Sequence, residues 1–323
     1  MDLLDRVGSL LGRAALAVGT LAVAWSVAVL LPSCGKAPQA PQHGRLFTTP
    51  EEAVTALASA VRAGSVDGLL GIFGPDASDL VASSDPVSAR QRREVIAVAF
   101  NERWRLVDAS ETSKTLVIGN EAWPFPIPLV KEPGGWRFDV AAGKEEVIAR
   151  RIGRNELAAI TVCRTYVAAQ RLYSRSRHDG QAAGVYARTF RSDPGRQNGL
   201  YWPTGLHQKR SPLGDLVAYA ERQGGTAGGD GSQPAPFHGY YFRILTAQGA
   251  AAPGGAQDYI VKGVLSNGFA LLAWPAEYDL TGVMTFIVNH DGTVREQDLG
   301  ADTSRLSREI TTYNPDPSWN PVQ

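Results

Sequence analysis

Four polar side chains with catalytic or metal-binding potential lie close together near the C-terminal end of the sequence. The stretch TGVMTFIVNHDGTVREQDLG contains His290, Asp291, Glu296 and Asp298. An imidazole beside several carboxylates is a combination used in acid-base catalysis and in zinc binding. However, residues 289–292 lie between Val288 and Thr293 as a four-residue turn, and Asp-Gly at such a position is typical of a hairpin. We therefore predict that a turn places these side chains and that His290 is solvated.

The histidines as a set do not indicate a metal site. No two of them have the i, i+4 spacing that places two imidazoles on one face of a helix. We predict no metal ion and no cofactor. The sequence also lacks a G-x-S-x-G nucleophile elbow and the lysine pattern of a phosphate-binding loop. A catalytic triad assembled from distant loops stays open, because triads are defined in space. Its members would be Ser211, His207 or His238, and Asp215.

Three tryptophans each precede a proline, at Trp123, Trp202 and Trp274. Because proline forces the residue before it into an extended conformation, each indole is held at a fixed angle. Two interpretations stay open: each indole covers a hydrophobic core, or the three meet in an aromatic groove that suits glycan or peptide chains. Further aromatic members of that groove would be Tyr201, His238, Tyr240 and Tyr241.

A cluster of arginines occurs in the segment RRIGRNE, at Arg150, Arg151 and Arg154. This segment follows the first predicted domain, so we predict that the arginines bridge two domains through ion pairs. The alternative is that they form an anion-binding site.

The length and charge of the chain limit its architecture and its partners. With 323 residues and 44% hydrophobic content, the chain is long enough for two globular domains. Its 32 basic residues balance its 32 acidic residues. Because no net field draws it to polyanions, we predict no nucleic-acid partner.

The first 34 residues resemble a bacterial export signal. Arg6 and Arg13 precede an uncharged run at 14–31, and small residues then lead to Cys34. We predict lipidation of Cys34, which would place the protein in the bacterial cell envelope, membrane-anchored and facing the periplasm. The alternative is an uncleaved transmembrane helix, for which the run is short. Residues 35–46 are rich in Pro, Gln and Gly, which is typical of a linker.

Residues 47–145 are predicted to form an α+β domain. Thr49-Pro50-Glu51-Glu52 is a helix start, and amphipathic helices are expected up to Trp104. Strands are expected at 105–107, 115–118, 125–130 and 136–139. Helices followed by a curved antiparallel sheet resemble the cone of the nuclear-transport-factor-2-like (NTF2-like) superfamily.

Residues 146–323 are predicted to form a second α+β domain. Gly153 is expected to break the helical pattern, with one long helix over 155–173. Cys163 belongs to the apolar stripe of that helix, so we expect a buried thiol. Strands at 240–246, 259–265, 269–274 and 283–288 are expected to form an antiparallel meander. A long helix on such a sheet resembles a pilin-like head.

Several segments in order resemble the bacterial domain-of-unknown-function family 2950. They are WPFPIPLVK, GWRFD, RRIGRNEL, GLYWP, SPLG, GYYFRILTAQG, APGGAQDY, GFALLAWPAEY and TGVMTFIVNHDG. The resemblance implies an exported bacterial protein, and it supplies no catalytic residues. We expect a non-catalytic binding or assembly module whose partner is an envelope protein or a cell-wall glycan or peptide. The alternative is an envelope hydrolase.

Overall fold

The computed structural model describes residues 44–81, 86–204, 210–214 and 236–322, and gives the backbone alone at 86–92. The described residues form one compact unit. The predicted signal at 1–34, with Cys34, and most of the linker lie outside them. Within the described ranges, no helix combines the length and the apolar character needed to cross a membrane.

The chain forms an α+β fold, as the sequence predicts. The helices are α1 (Pro50–Arg62), α2 (Val66–Phe73), α3 (Ser78–Val81), α4 (Pro86–Glu102), α5 (Val140–Ser174) and α6 (Thr303–Glu309). The strands of the first half are β1 (Trp104–Ser110), β2 (Ser113–Ile118), β3 (Trp123–Pro124), β4 (Leu129–Glu132) and β5 (Gly135–Phe138). Those of the second half are β6 (Tyr240–Leu245), β7 (Ala247–Gln248), β8 (Gln257–Asp258), β9 (Ile260–Val261), β10 (Val264–Leu265), β11 (Ala270–Pro275), β12 (Met284–Asn289), β13 (Arg295–Asp298) and β14 (Asn320–Pro321).

Helix α1 begins where its sequence predicts. The backbone N–H of Glu52 donates to the Thr49 hydroxyl at 3.2 Å, and Pro50 occupies the first turn, where no N–H is needed. The Glu52 carboxylate accepts from the N–H of Thr48 at 3.1 Å. The cap is thus confirmed, although the reciprocal bond goes to Thr48 rather than to Thr49.

The N-terminal sheet has the antiparallel order β1-β2-β4-β5, with β3 also paired to β2. Its apolar face and helices α1 and α2 enclose the N-terminal core. The predicted strand at 125–130 is wrong over 125–128, because Pro126 and Pro128 have no N–H to donate to a neighbouring strand. Only Phe125 in this stretch donates to β2, to the Leu116 carbonyl at 2.7 Å.

Helix α5 runs without interruption for 35 residues. The predicted break at Gly153 is therefore wrong. Gly153 does not have a positive φ, and a side chain there would meet open space. The predicted domain boundary at 145/146 falls inside this helix, which extends from the N-terminal core into the C-terminal core.

Alanine substitutions at the two glycines within α5 are expected to change stability in opposite directions. A Cβ at Gly143 would lie 2.7 Å from Cγ1 of the buried Ile127, and overpacking of this kind costs about 1–3 kcal/mol. A Cβ at Gly153 meets nothing within 4 Å. Gly153→Ala is thus expected to raise the free energy of unfolding by about 0.5–1 kcal/mol, through helix propensity alone.

Urea unfolding of the full chain measures both effects, with Gly153→Ala as the control for Gly143→Ala. Equal gains in the two variants would show that residue 143 has room for a side chain, contrary to the packing described.

The C-terminal sheet has the antiparallel order β14-β13-β12-β11-β6. Tyr240 belongs to the same buried cluster as Cys163 of α5, whereas the Arg243 guanidinium donates to the carbonyls of Ser307 and Ile310 at the end of α6. Because side chains alternate across a strand, α5 and α6 cover opposite faces of the sheet.

The predicted strand at 259–265 is wrong, since a turn with positive φ at Lys262 and Gly263 splits it into β9 and β10.

Candidate functional site

A cavity of about 520 Å³, partly open to solvent, lies beside the N-terminal core. Ligand pockets in proteins have volumes of roughly 300–1,000 Å³. The buried apolar lining of this cavity consists of Leu57, Val61, Leu69, Phe73, Val81, Phe125 and Ile127.

Four arginines also line the cavity: Arg93 from α4, and Arg150, Arg151 and Arg154 from α5. Arg150 is fixed by hydrogen bonds to the Glu146 carboxylate and the Pro124 carbonyl, both at 2.7 Å.

Trp123 lies beside this arginine at the opening of the cavity. The Arg150 guanidinium lies 5.5 Å from the centroid of the Trp123 ring, which is 39% exposed. Cation–π contact therefore holds one face of the indole against Arg150.

Arg151 and Arg154 differ from Arg150 because neither makes an ion pair within the described part of the chain. Both side chains are exposed, so they form a basic rim above the apolar lining. The lining carboxylate Asp79 pairs with Lys144 at 2.9 Å, and this hydrogen bond lowers the pKa of Asp79. Because Lys144 offsets Asp79, the rim has an excess of positive charge.

The structure brings together four of the residues singled out in the sequence, because one cavity is lined by Trp123, Arg150, Arg151 and Arg154. The expected ion pairs of Arg151 and Arg154 are not found among the described residues. Two neighbouring polar side chains instead connect α5 to the C-terminal sheet.

Asn155 and Glu156 make that connection. The Asn155 amide donates to the Thr281 carbonyl at 2.8 Å. The Glu156 carboxylate accepts the N–H groups of Val283 and Met284 at 2.9 and 3.0 Å. These contacts fix the second half of α5 against the start of β12.

The other predicted aromatic residues belong to the C-terminal half. Trp202 and Tyr240 are buried, with 5% and 0% exposure, so they contribute to the core and not to an exposed groove. Trp274 is half-buried, with its ring 5.7 Å from that of Tyr241. Tyr201 is covered by Arg191 at 5.2 Å.

His238 is also half-buried, and it lies apart from the cavity lining. Its φ is +47°, and its ring lies 4.3 Å from that of Phe237. Burial lowers its pKa.

The predicted hairpin near the C-terminal end is confirmed. Strands β12 and β13 pair in antiparallel register, and His290 is exposed at the turn. The Asp291 carboxylate accepts the N–H of Thr293 at 2.7 Å, so its position is set by the turn. On β13, burial and then the nearby Glu156 carboxylate raise the pKa of Glu296. No group of three potential metal ligands occurs in the described ranges.

The hydrolase hypothesis has no support among the described residues. Ser211 is buried, while His207 and Asp215 lie outside the part of the chain that the structure describes. Cys163 is confirmed as a core thiol, since its side chain is buried and this burial raises its pKa to about 12. A protonated thiol is a poor nucleophile.

The cavity is not apparent from the sequence, because the residues that line it come from elements that are far apart in the chain. In the chain, strands β1 to β5 lie between the α5 arginines and the other lining residues Arg93, Leu57 and Val61. One available indication was the spacing of Val147, Arg150/Arg151 and Arg154, which places them on neighbouring turns of one helix.

A protein-family model described as "Protein of unknown function (DUF2950)" matches residues 44–322. The chain belongs to the DUF2950 family. The match includes both hydrophobic cores and every residue that lines the cavity. No curated protein and no solved structure matches the chain.

Proposed function

We propose that this DUF2950 protein is a non-catalytic binding module whose N-terminal cavity binds a small apolar ligand that has an anionic group. The observation that carries the proposal is the combination of a 520 Å³ apolar cavity with the basic rim at Arg151 and Arg154. The apolar lining favours transfer of an apolar body out of water. The rim provides charge-assisted donors for an anion.

The proposed compartment is the bacterial cell envelope. Lipidation of Cys34 would tether the module to the membrane of the bacterial envelope, with the cavity facing the periplasm. In that setting the ligand would come from the envelope, either free or as part of an envelope protein or a cell-wall glycan or peptide. Cys34→Ala is expected to release the protein from the membrane fraction, whereas retention there would indicate an uncleaved helix.

Two fold comparisons also belong to the proposal. An antiparallel sheet of order β1-β2-β4-β5 with helices α1 and α2 packed against it is compatible with an NTF2-like cone in the first half. A long helix covering one face of an antiparallel sheet is compatible with a pilin-like head in the second half.

A matched pair of fluorescent probes tests the proposed function. 8-Anilinonaphthalene-1-sulfonate (ANS) and N-phenyl-1-naphthylamine have the same apolar body, but only ANS is an anion. We expect ANS to bind the full chain at one saturable site, about tenfold more tightly than the neutral probe, and the preference should shrink as salt is added. Equal affinities for the two probes would show that the arginines do not select an anion.

A further inference from the structure

The aromatic rings that line the cavity are already in contact with other groups. Phe73 and Phe125 both contact the Phe138 ring edge-to-face, with centroids 5.2 and 6.3 Å apart. Trp123 contacts Phe125 edge-to-face at 6.1 Å and carries Arg150 on one face. Apart from these three lining rings and Pro126, the apolar lining is aliphatic.

The basic rim sets the chemistry of the other end of the ligand. Arg150 and Arg93 already donate to protein oxygens, Arg150 to Glu146 and Arg93 to the Val81 carbonyl at 3.5 Å. Arg151 and Arg154 have no such bond within the described residues. Two adjacent guanidiniums suit one head group with one or two negative charges.

We infer that the ligand is a single-chain aliphatic anion, with its hydrocarbon chain in the cavity and its carboxylate or phosphate head group at Arg151 and Arg154. This inference rests on the proposed function and specifies its ligand class. An unbranched chain fits a lining made mainly of Leu, Val and Ile side chains. The cavity volume of about 520 Å³ limits the number of methylene groups that can be buried in it.

A chain-length series tests the inference by displacement of ANS from the full chain. The probes are n-alkyl carboxylates of increasing length, each kept below its critical micelle concentration. We expect the dissociation constant to fall roughly fourfold for each added methylene, which is the gain from burying one such group. The affinity should then level off at the length that fills the cavity.

Two further sets of measurements identify the preferred head group and locate the binding site. For alkyl phosphates of matched length, the affinity is expected to level off in the same way. The series that binds more tightly identifies the preferred head group. Alkyltrimethylammonium ions of the same length are expected not to compete.

Val61→Phe fills part of the cavity, so the affinity should level off at a shorter chain. Leu69→Phe provides the same test if the first variant does not fold.

The possible outcomes separate the inference from the proposed function. If ANS binds in an arginine-dependent manner but no alkyl anion displaces it, the inference is overturned and the binding function stands. Affinity that rises with length without levelling, equally in Val61→Phe, would indicate adsorption outside the cavity and also overturns it. If ANS itself does not bind, the proposed function fails.

Discussion

Reversing both charges of the basic rim, in the double variant Arg151→Glu/Arg154→Glu, is expected to weaken ANS binding on the order of 100-fold. Each exposed ion pair contributes only about 1 kcal/mol, but reversal replaces two attractions by two repulsions of similar size. Because neither arginine forms an ion pair within the described residues, the free energy of unfolding should change by less than about 0.5 kcal/mol.

The matched control is Arg164→Glu. Arg164 is an exposed arginine on the same helix that does not line the cavity. Fluorescence titration at low salt gives the affinities, and urea unfolding gives the stabilities. A loss of affinity in the control equal to that in the double variant would mean that α5 attracts the anion through general charge and not through the rim.

Gln170→Leu is expected to destabilise the C-terminal core by about 3 kcal/mol. The fully buried Gln170 amide accepts the N–H of Ala187 at 2.9 Å and donates to the Ala187 carbonyl at 2.7 Å. It also donates to the Tyr166 hydroxyl at 3.1 Å, which itself donates to the Ala270 carbonyl. Leucine has a similar size but leaves two buried backbone groups of Ala187 unpaired, each at a cost of about 1–3 kcal/mol.

Two other variants calibrate this loss. Tyr166→Phe removes one hydroxyl and leaves the Ala187 bonds intact, so we expect a smaller loss of about 1 kcal/mol. Gln181→Leu makes the same chemical change at an exposed position and should stay within about 0.5 kcal/mol. If Gln170→Leu costs no more than Gln181→Leu in urea unfolding, the Ala187 backbone must find other partners.

The sequence was sufficient where local chemistry decides the structure. The cap at Thr49 and the hairpin turn that exposes His290 depend on residues within a few positions of one another. The predictions at Gly153 and at 259–265 were wrong, each for a different reason. Helix α5 continues through Gly153 because the hydrogen bonds of Asn155 and Glu156 to residues 281–284 hold the next turn in place, which outweighs the low helix propensity of a glycine. At 259–265, Lys262 and Gly263 form a turn within an otherwise apolar segment.

The candidate site was only partly predictable because its parts are far apart in the chain. The identical dipeptide Trp-Pro leads to an exposed indole at residue 123 and a buried one at residue 202, since burial depends on which elements pack nearby. The arginines of α5 were visible in the sequence, but their position over an apolar cavity depends on α1, α2 and the loop after β3. Such tertiary contacts leave no local pattern.

Methyl NMR of the full chain during titration with ANS locates the bound anion. We expect saturable shifts of the methyl signals of Leu57 and Ile127, two residues that line the N-terminal cavity, and unchanged signals of Leu271 in the C-terminal core. Saturable shifts at Leu271 with none at Leu57 and Ile127 would contradict the proposal, because the anion would then be bound elsewhere.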